Sequence, residues 1–263
     1  MIEDRLGLRG RRIVVVGAGG GGIGTGIVRL LEEAGAEVVG IDADPEQGYR
    51  VADAADEASL EAALADAGEL DGLVHVVGGL PLANWASVVG GSTEDWNVVL
   101  TRNVITASVS TRVVARKLLA AGRPGSIVHI ASIVGLESMP FGAPYAAAKA
   151  ALMSLTRTAA VELGPAGIRV NAVAVGSIKV ARNKTGAPAE ETPETRAVLP
   201  LARRGTPDDI AGPVLFLLSD LAAFVTGSVV TADGGATARP GYLDADNLPI
   251  FIPQGDLRTR LTT

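Results

Sequence analysis

The sequence has no cysteine, which excludes disulfides, thiolate nucleophiles and cysteine-bound metals. Its two histidines, His75 and His129, are far apart in the chain, so no structural metal site is expected. Aromatic residues make up only 3% of the 263, so the core must be built from Ala, Val, Leu and Ile. Long apolar runs are also missing, since each is shorter than a membrane span or broken by glycine, proline or charge. The opening MIEDRLGLRGRR does not read as a secretion signal. A cytoplasmic protein with no membrane partner is the expectation. Basic charge is in deficit: 23 Lys and Arg stand against 29 Asp and Glu, a net charge of -6, which argues against nucleic acid as a partner.

Glycine is abundant, with 33 residues, and six of them crowd into VVVGAGGGGIG at 14–24. Ordered glycine costs conformational entropy and adds no side chain to a core, so such a cluster needs a reason. Gly17-x-Gly19-x-x-Gly22 matches the dinucleotide fingerprint and lies between a strand-like and a helix-like segment, as that motif requires. Glycines there allow a tight turn and let a pyrophosphate approach the N–H groups opening the helix, at Ile23 and Gly24. Asp42 follows the next apolar strand, where a carboxylate can accept from both ribose hydroxyls of an adenosine. A 2′-phosphate would meet like charge, and GIDAD at 40–44 offers no Lys or Arg to offset it. That reading favours NAD over NADP; the alternative is that Asp42 merely starts a turn. Asp53 is a candidate for the adenine amino group if it ends the following short strand.

Apolar strand-like runs alternate with helical patterns through the chain: Arg12–Val16, helix Ile23–Ala34, Glu37–Ile41, helix Leu60–Ala67, Gly72–Val77, helix Trp96–Leu119, Ser126–Ala131, helix Tyr145–Leu163, Ile168–Val173, helix Asp208–Leu218 and Ser228–Ala232. Continuous apolar strands between helices indicate a sheet buried on both faces, the doubly wound Rossmann-type α/β pattern. No linker divides the chain, so residues 1–263 are expected to form one domain. Two segments break the rhythm. Residues 179–200, rich in Pro, Glu and Thr, suit a substrate loop. Residues 236–263 form a C-terminal extension whose apolar LPIFI patch would pack on its own body or on another subunit.

Tyr145 and Lys149 stand four apart at a helix start, on one face, amid alanines. An ammonium near a phenol favours the phenolate and lowers its pKa from about 10, giving a proton carrier near neutrality. Ser132, at the end of a strand, can donate to the same substrate oxygen. The plain alternative is a packed tyrosine and a solvated lysine.

With these residues in place, the chain resembles the classical short-chain dehydrogenases/reductases over about residues 10–238. The resemblance rests on VVVGAGGGGIG, on Ser132, Tyr145 and Lys149 within ASIVGLESMPFGAPYAAAKAAL, on IRVNAVAVGSI, and on RRGTPDDIAGPVLFLLSD with FVTGSVVTADGG. It implies a seven-stranded parallel sheet, a homotetramer, and nucleotide bound across the carboxyl ends of the strands. It also implies roles: Tyr145 as general acid/base, Lys149 on the nicotinamide ribose and tuning the tyrosine, Ser132 steadying the reacting oxygen, and Asn103 supporting a proton-relay water. Val77, Gly78, Gly176 and Ile178 would complete the cofactor contacts.

There are departures from the family pattern. The glycine loop has four residues, 18–21, between its first glycine and the Gly-x-Gly pair, where the family has three. HVVG at 75–78 replaces the family's Asn-Asn-Ala-Gly, with His75 in place of the first asparagine. Val175 replaces a proline before Gly176, and Val180 a threonine, with loss of a hydrogen-bond donor.

The expected activity is NAD-dependent hydride transfer between nicotinamide and a small-molecule secondary alcohol or ketone, with no metal. Substrate walls would include Trp85 and Met139, with Leu80, Pro81, Ile133, Val134, Glu137, Ser138 and Phe141; most are apolar, which suits a hydrophobic substrate. Arg203 and Arg204 are either near this site or at an interface or solvated face. The alternatives are an NADPH-linked biosynthetic ketoreductase, a nonredox NAD(P)-binding regulator, and a cofactor-regenerating epimerase or dehydratase.

Overall fold

The computed structural model describes residues 5–180, 192 and 197–241. Most of the expected substrate loop and the extension beyond residue 241, including the LPIFI patch, lie outside the described residues.

RIVVV forms β1 (Arg12–Val16), and alternate side chains serve two cores: Val14 and Val16 face one layer, Ile13 and Val15 the other. The same holds for β2 (Glu37–Asp42), β4 (Gly72–His75), β5 (Gly125–Ser132) and β6 (Ile168–Val175). With β3 (Arg50–Val51) and β7 (Val229–Ala232) they form one seven-stranded sheet, in the order β3-β2-β1-β4-β5-β6-β7, with every pairing parallel. The expected Rossmann-type sheet is therefore present. Its order reverses direction between β1 and β4, and a crevice at such a point is the usual ligand site of an open α/β sheet.

Helices α1 (Ile23–Glu33) and α6 (Pro207–Leu218) cover one face and pack on each other. Gly26 permits this approach, because a Cβ there would sit 2.7 Å from the Pro207 Cβ. The other face carries α2 (Glu57–Ala63), α4 (Thr106–Ala120) and α5 (Ala143–Leu163). Side chains such as Leu31, Leu118 and Leu152 are almost wholly buried; truncating one to alanine costs about 2–5 kcal/mol.

Several boundaries differ from the sequence reading. The strand expected over Gly72–Val77 ends at His75, because Val76 and Val77 turn their N–H groups onto the Val16 carbonyl. The helix expected over Trp96–Leu119 begins earlier, as α3 (Thr93–Leu100), with a Ser92–Asp95 capping box. A π-helical turn, Thr101–Ile105, separates it from α4, and this turn carries Asn103.

Candidate active site

Ser132 is the last residue of β5, and its hydroxyl donates weakly to the Val175 carbonyl at 3.4 Å. The chain then makes a 3-10 turn, Ile133–Gly135, that presses on α5. Only glycine fits at 135, because a Cβ there would lie 2.7 Å from the Lys149 carbonyl carbon. This contact sets the end of β5 against the helix that bears Tyr145 and Lys149.

Lys149 is 2% exposed and donates to the Ile130 carbonyl at 3.0 Å. Burial lowers its ammonium pKa to about 8, so at neutral pH it remains largely charged. Its Nζ stands 5.6 Å from the centre of the half-buried Tyr145 ring. The Tyr145 phenol is raised above its ordinary range, chiefly by burial, with the nearby Ser132 hydroxyl pulling it back. This corrects the expectation of a phenol lowered by the lysine: in the protein alone, desolvation outweighs the Ser132 hydrogen bond, and the phenol is raised.

Asn103 is fully buried. Its amide donates to the Gly79 and Val99 carbonyls, both at 2.9 Å, and its oxygen accepts the Gly79 N–H at 2.9 Å. Gly78 is wedged between the two polar side chains: a Cβ there would fall 2.7 Å from Asn103 Oδ1 and 2.8 Å from Lys149 Nζ. Asn103, Gly78, Lys149, Tyr145 and Ser132 thus share one neighbourhood at the carboxyl ends of β4 and β5.

On the other side of this neighbourhood lies the glycine loop. Gly17 has φ +89° and Gly24 sits directly over it, since a Cβ at 24 would come within 2.0 Å of the Gly17 carbonyl oxygen. Gly22 caps α1 and faces Val180, its absent Cβ 3.6 Å from that side chain. Asp42 accepts the Gly19 N–H at 2.9 Å and the Asp44 N–H at 3.1 Å. A carboxylate has about four acceptor positions, so two are left for a pair of hydroxyls. A cavity of about 490 Å³ opens beside it, lined in part by Gly17, Asp42, Asp53, Val77, Asn97 and Arg102. Asp53 is exposed and lies two residues beyond β3 rather than at its end. A glycine turn leading into the start of α1, a carboxylate with spare acceptors and an adjoining cavity together fit a dinucleotide. Gly176 adjoins β7, its N–H on the Ala232 carbonyl at 3.0 Å, and Ile178 bridges to Gly205.

Trp85 and Met139 lie on two loops that meet ahead of α5. The Ala86 N–H bonds the Phe141 carbonyl at 3.0 Å, and Met139 covers Gly142, whose carbonyl accepts the Tyr145 N–H at 3.0 Å. Arg203 instead forks onto Asp209 at 2.7 and 2.8 Å, so it is committed to the start of α6. A larger cavity, about 820 Å³, lies at the opposite, amino ends of the strands and includes Arg11, Arg123 and Arg169. None of the expected site residues lines it.

Across residues 17–237 the sequence matches the family model described as enoyl-(acyl carrier protein) reductase. The chain belongs to the classical short-chain dehydrogenase/reductase family. It is 38% identical over 233 residues to a Xanthobacter autotrophicus protein named inactive 2-(S)-hydroxypropyl-CoM dehydrogenase 2, covering 81% of this chain and 100% of that one. It is 34% identical over 250 residues to 2-(S)-hydroxypropyl-CoM dehydrogenase 3 of the same organism, covering 86% and 96%. A solved structure, a short-chain type dehydrogenase/reductase from Mycobacterium ulcerans, superposes with TM-score 0.80 at 30% identity, covering 89% of this chain and 92% of the other. Family members bind NAD or NADP, and the family relationship supports NAD(P)-dependent oxidoreductase activity on small organic substrates.

The structure gives His75 a role. Its ring is fully buried, with Nε2 3.2 Å from the Thr106 hydroxyl and Nδ1 3.2 Å from the Ser110 hydroxyl. Burial holds its pKa well below the ordinary value, with His129 and Lys149 adding to the effect. His75 therefore ties the sheet centre to α4 as a neutral group. Two site contacts were missed in the sequence. Arg102 donates from Nε to the Gly78 carbonyl at 3.1 Å, and Gln47 accepts the Gly20 N–H at 2.7 Å. Nothing in the spacing marked Gln47; Arg102 could have been inferred from its place beside Asn103.

Among the described residues no helix is long and apolar enough to cross a membrane, and no group of three or more His, Asp or Glu side chains could hold a metal.

Proposed function

We propose that the protein is an NAD-dependent dehydrogenase that interconverts a hydrophobic secondary alcohol and its ketone. The observation that carries this reading is the convergence of Ser132, Tyr145 and Lys149 beside a glycine cradle edged by Asp42.

Asp42 would hold the adenosine ribose, Gly17, Gly22, Ile23 and Gly24 the pyrophosphate, and Lys149 the nicotinamide ribose. When bound, the nicotinamide supplies or accepts hydride. Tyr145 takes the hydroxyl proton from the substrate oxygen in oxidation and returns it in reduction. Ser132 donates to the same oxygen and steadies negative charge as it develops there. The Lys149 ammonium, held by the Ile130 carbonyl, favours the phenolate while the proton is away. Asn103 fixes the π-helical turn against Gly79 and so positions the wall behind Lys149. Trp85 and Met139 supply apolar surface for the substrate, which favours a hydrophobic alcohol over a sugar.

The chain is proposed to act in the cytoplasm as a single catalytic domain in a homotetramer, which light scattering on the purified protein would read. The reaction itself is tested with a secondary alcohol deuterated at its carbinol carbon, incubated with NAD. Deuterium recovered in the reduced nicotinamide supports the dehydrogenase. Product formed with no net reduction of the cofactor would instead identify an epimerase or dehydratase.

A further inference from the structure

The glycine loop is longer than the family pattern, and its added length is closed by residues beyond β2. Gly20 and Gly21 both adopt left-handed conformations, with φ +83° and +64°. At Gly19 a Cβ would fall 2.5 Å from the Gln47 Cγ, so the loop lies directly on that side chain. The Gly20 N–H donates to Gln47 Oε1 at 2.7 Å, and Gln47 Nε2 donates to Asp44 Oδ2 at 2.8 Å. Asp42 takes the Gly19 N–H at 2.9 Å, and the Thr25 hydroxyl takes that of Gly21 at 3.1 Å. Three successive backbone donors are thereby occupied from within the protein.

We infer that Gln47 is a specificity-determining residue, which clasps the glycine loop and so denies a 2′-phosphate the donors it would need. The inference rests on the dinucleotide reading above. A phosphate ester beside Asp42 requires cations or free N–H groups. Gly19, Gly20 and Asp44 would be its natural donors, and Asp42 and Gln47 hold all three N–H groups. The Asp42 and Asp44 carboxylates add like charge. Arg50, three residues from Gln47, is engaged by the Ala63 carbonyl at 2.6 Å and by Asp66. A ribose with free hydroxyls needs only the acceptor positions Asp42 retains. Discrimination therefore has two parts: repulsion from Asp42, and loop donors kept occupied by Gln47.

Isothermal titration of the wild-type chain and of Gln47→Ala with NADH and NADPH reads both affinities without a substrate. The wild type is expected to bind NADH more tightly. In Gln47→Ala the NADH-to-NADPH affinity ratio should fall by about tenfold, the effect of one lost hydrogen bond. Exchange of the Gly20 amide with deuterium should also quicken in the cofactor-free variant. If Gln47→Ala does not fold, Gln47→Leu, which keeps the volume but neither hydrogen bond, carries the same expectation. A wild type that prefers NADH with an unchanged ratio in the variant overturns the clasp alone. A wild type that prefers NADPH, or binds neither, overturns the NAD reading and the clasp with it.

Discussion

The Lys149 ammonium donates to the carbonyl of Ile130, two residues before Ser132 on the same strand, at 3.0 Å. One strand therefore places the hydroxyl and anchors the cation, while α5 carries the phenol between them in function. The apolar alternation that builds β5 and the Gly135 contact that docks it on α5 are what bring these groups together.

Burial of Lys149 has a consequence for stability. Its folded pKa of about 8 lies below the unfolded value of 10.5, so between these values the unfolded chain binds more protons. Stability contributed by this group must rise with pH across that window, by about 3 kcal/mol in all. Urea unfolding of wild type and Lys149→Met at pH 7.5 and pH 10 checks it. The wild type should gain on the variant at the higher pH, and parallel behaviour would contradict the account.

Gly78 is a second test of the site's packing. In Gly78→Ala the new methyl meets Asn103 Oδ1 and Lys149 Nζ, and Asn103 is held by three hydrogen bonds and cannot easily yield. Activity should fall by about tenfold or more, because small displacements of positioned groups are costly. Circular dichroism should show the fold retained. Full activity in Gly78→Ala would mean that Asn103 and Lys149 do not need their present spacing.

The buried histidines predict acid sensitivity. His129 bonds the Thr111 hydroxyl at 2.9 Å and that of Thr156 at 2.8 Å; burial and then the Lys149 charge lower its pKa to about 4. Between pH 6.5 and about 4 the unfolded chain takes up a proton that the folded chain refuses, so stability falls as pH falls. His129→Gln should remove about 3 kcal/mol of that loss, leaving the His75 contribution. Melting curves from pH 7 to pH 4.5 read the difference, and an unchanged slope in the variant would sink this assignment.

Much of this architecture is legible in the sequence, because strands buried on both faces must be apolar throughout and the helices between them cannot be. Gly17, Asp42, Tyr145 and Lys149 could be placed for the same reason: each sits at a fixed offset from a strand or helix end. What escaped depends on three-dimensional closure. The π-helical turn at Asn103 is a one-residue slip in hydrogen bonding that leaves no mark on composition. The two-residue β3 is too short to have a period. Gln47 reaches the loop across a turn, and the rise in the Tyr145 pKa reflects burial that exists only in the folded chain.

The central claim is that Tyr145 carries the proton in an NAD-linked alcohol oxidation. Absorbance at 340 nm, followed with purified protein, NAD or NADP and a panel of hydrophobic secondary alcohols, tests it most directly, with Tyr145→Phe alongside. The account predicts turnover with NAD in the wild type and a loss of about 10²–10⁴-fold in the variant, with NAD still bound. Undiminished turnover in Tyr145→Phe, or tight NAD binding with no turnover on any alcohol or matching ketone, would contradict it.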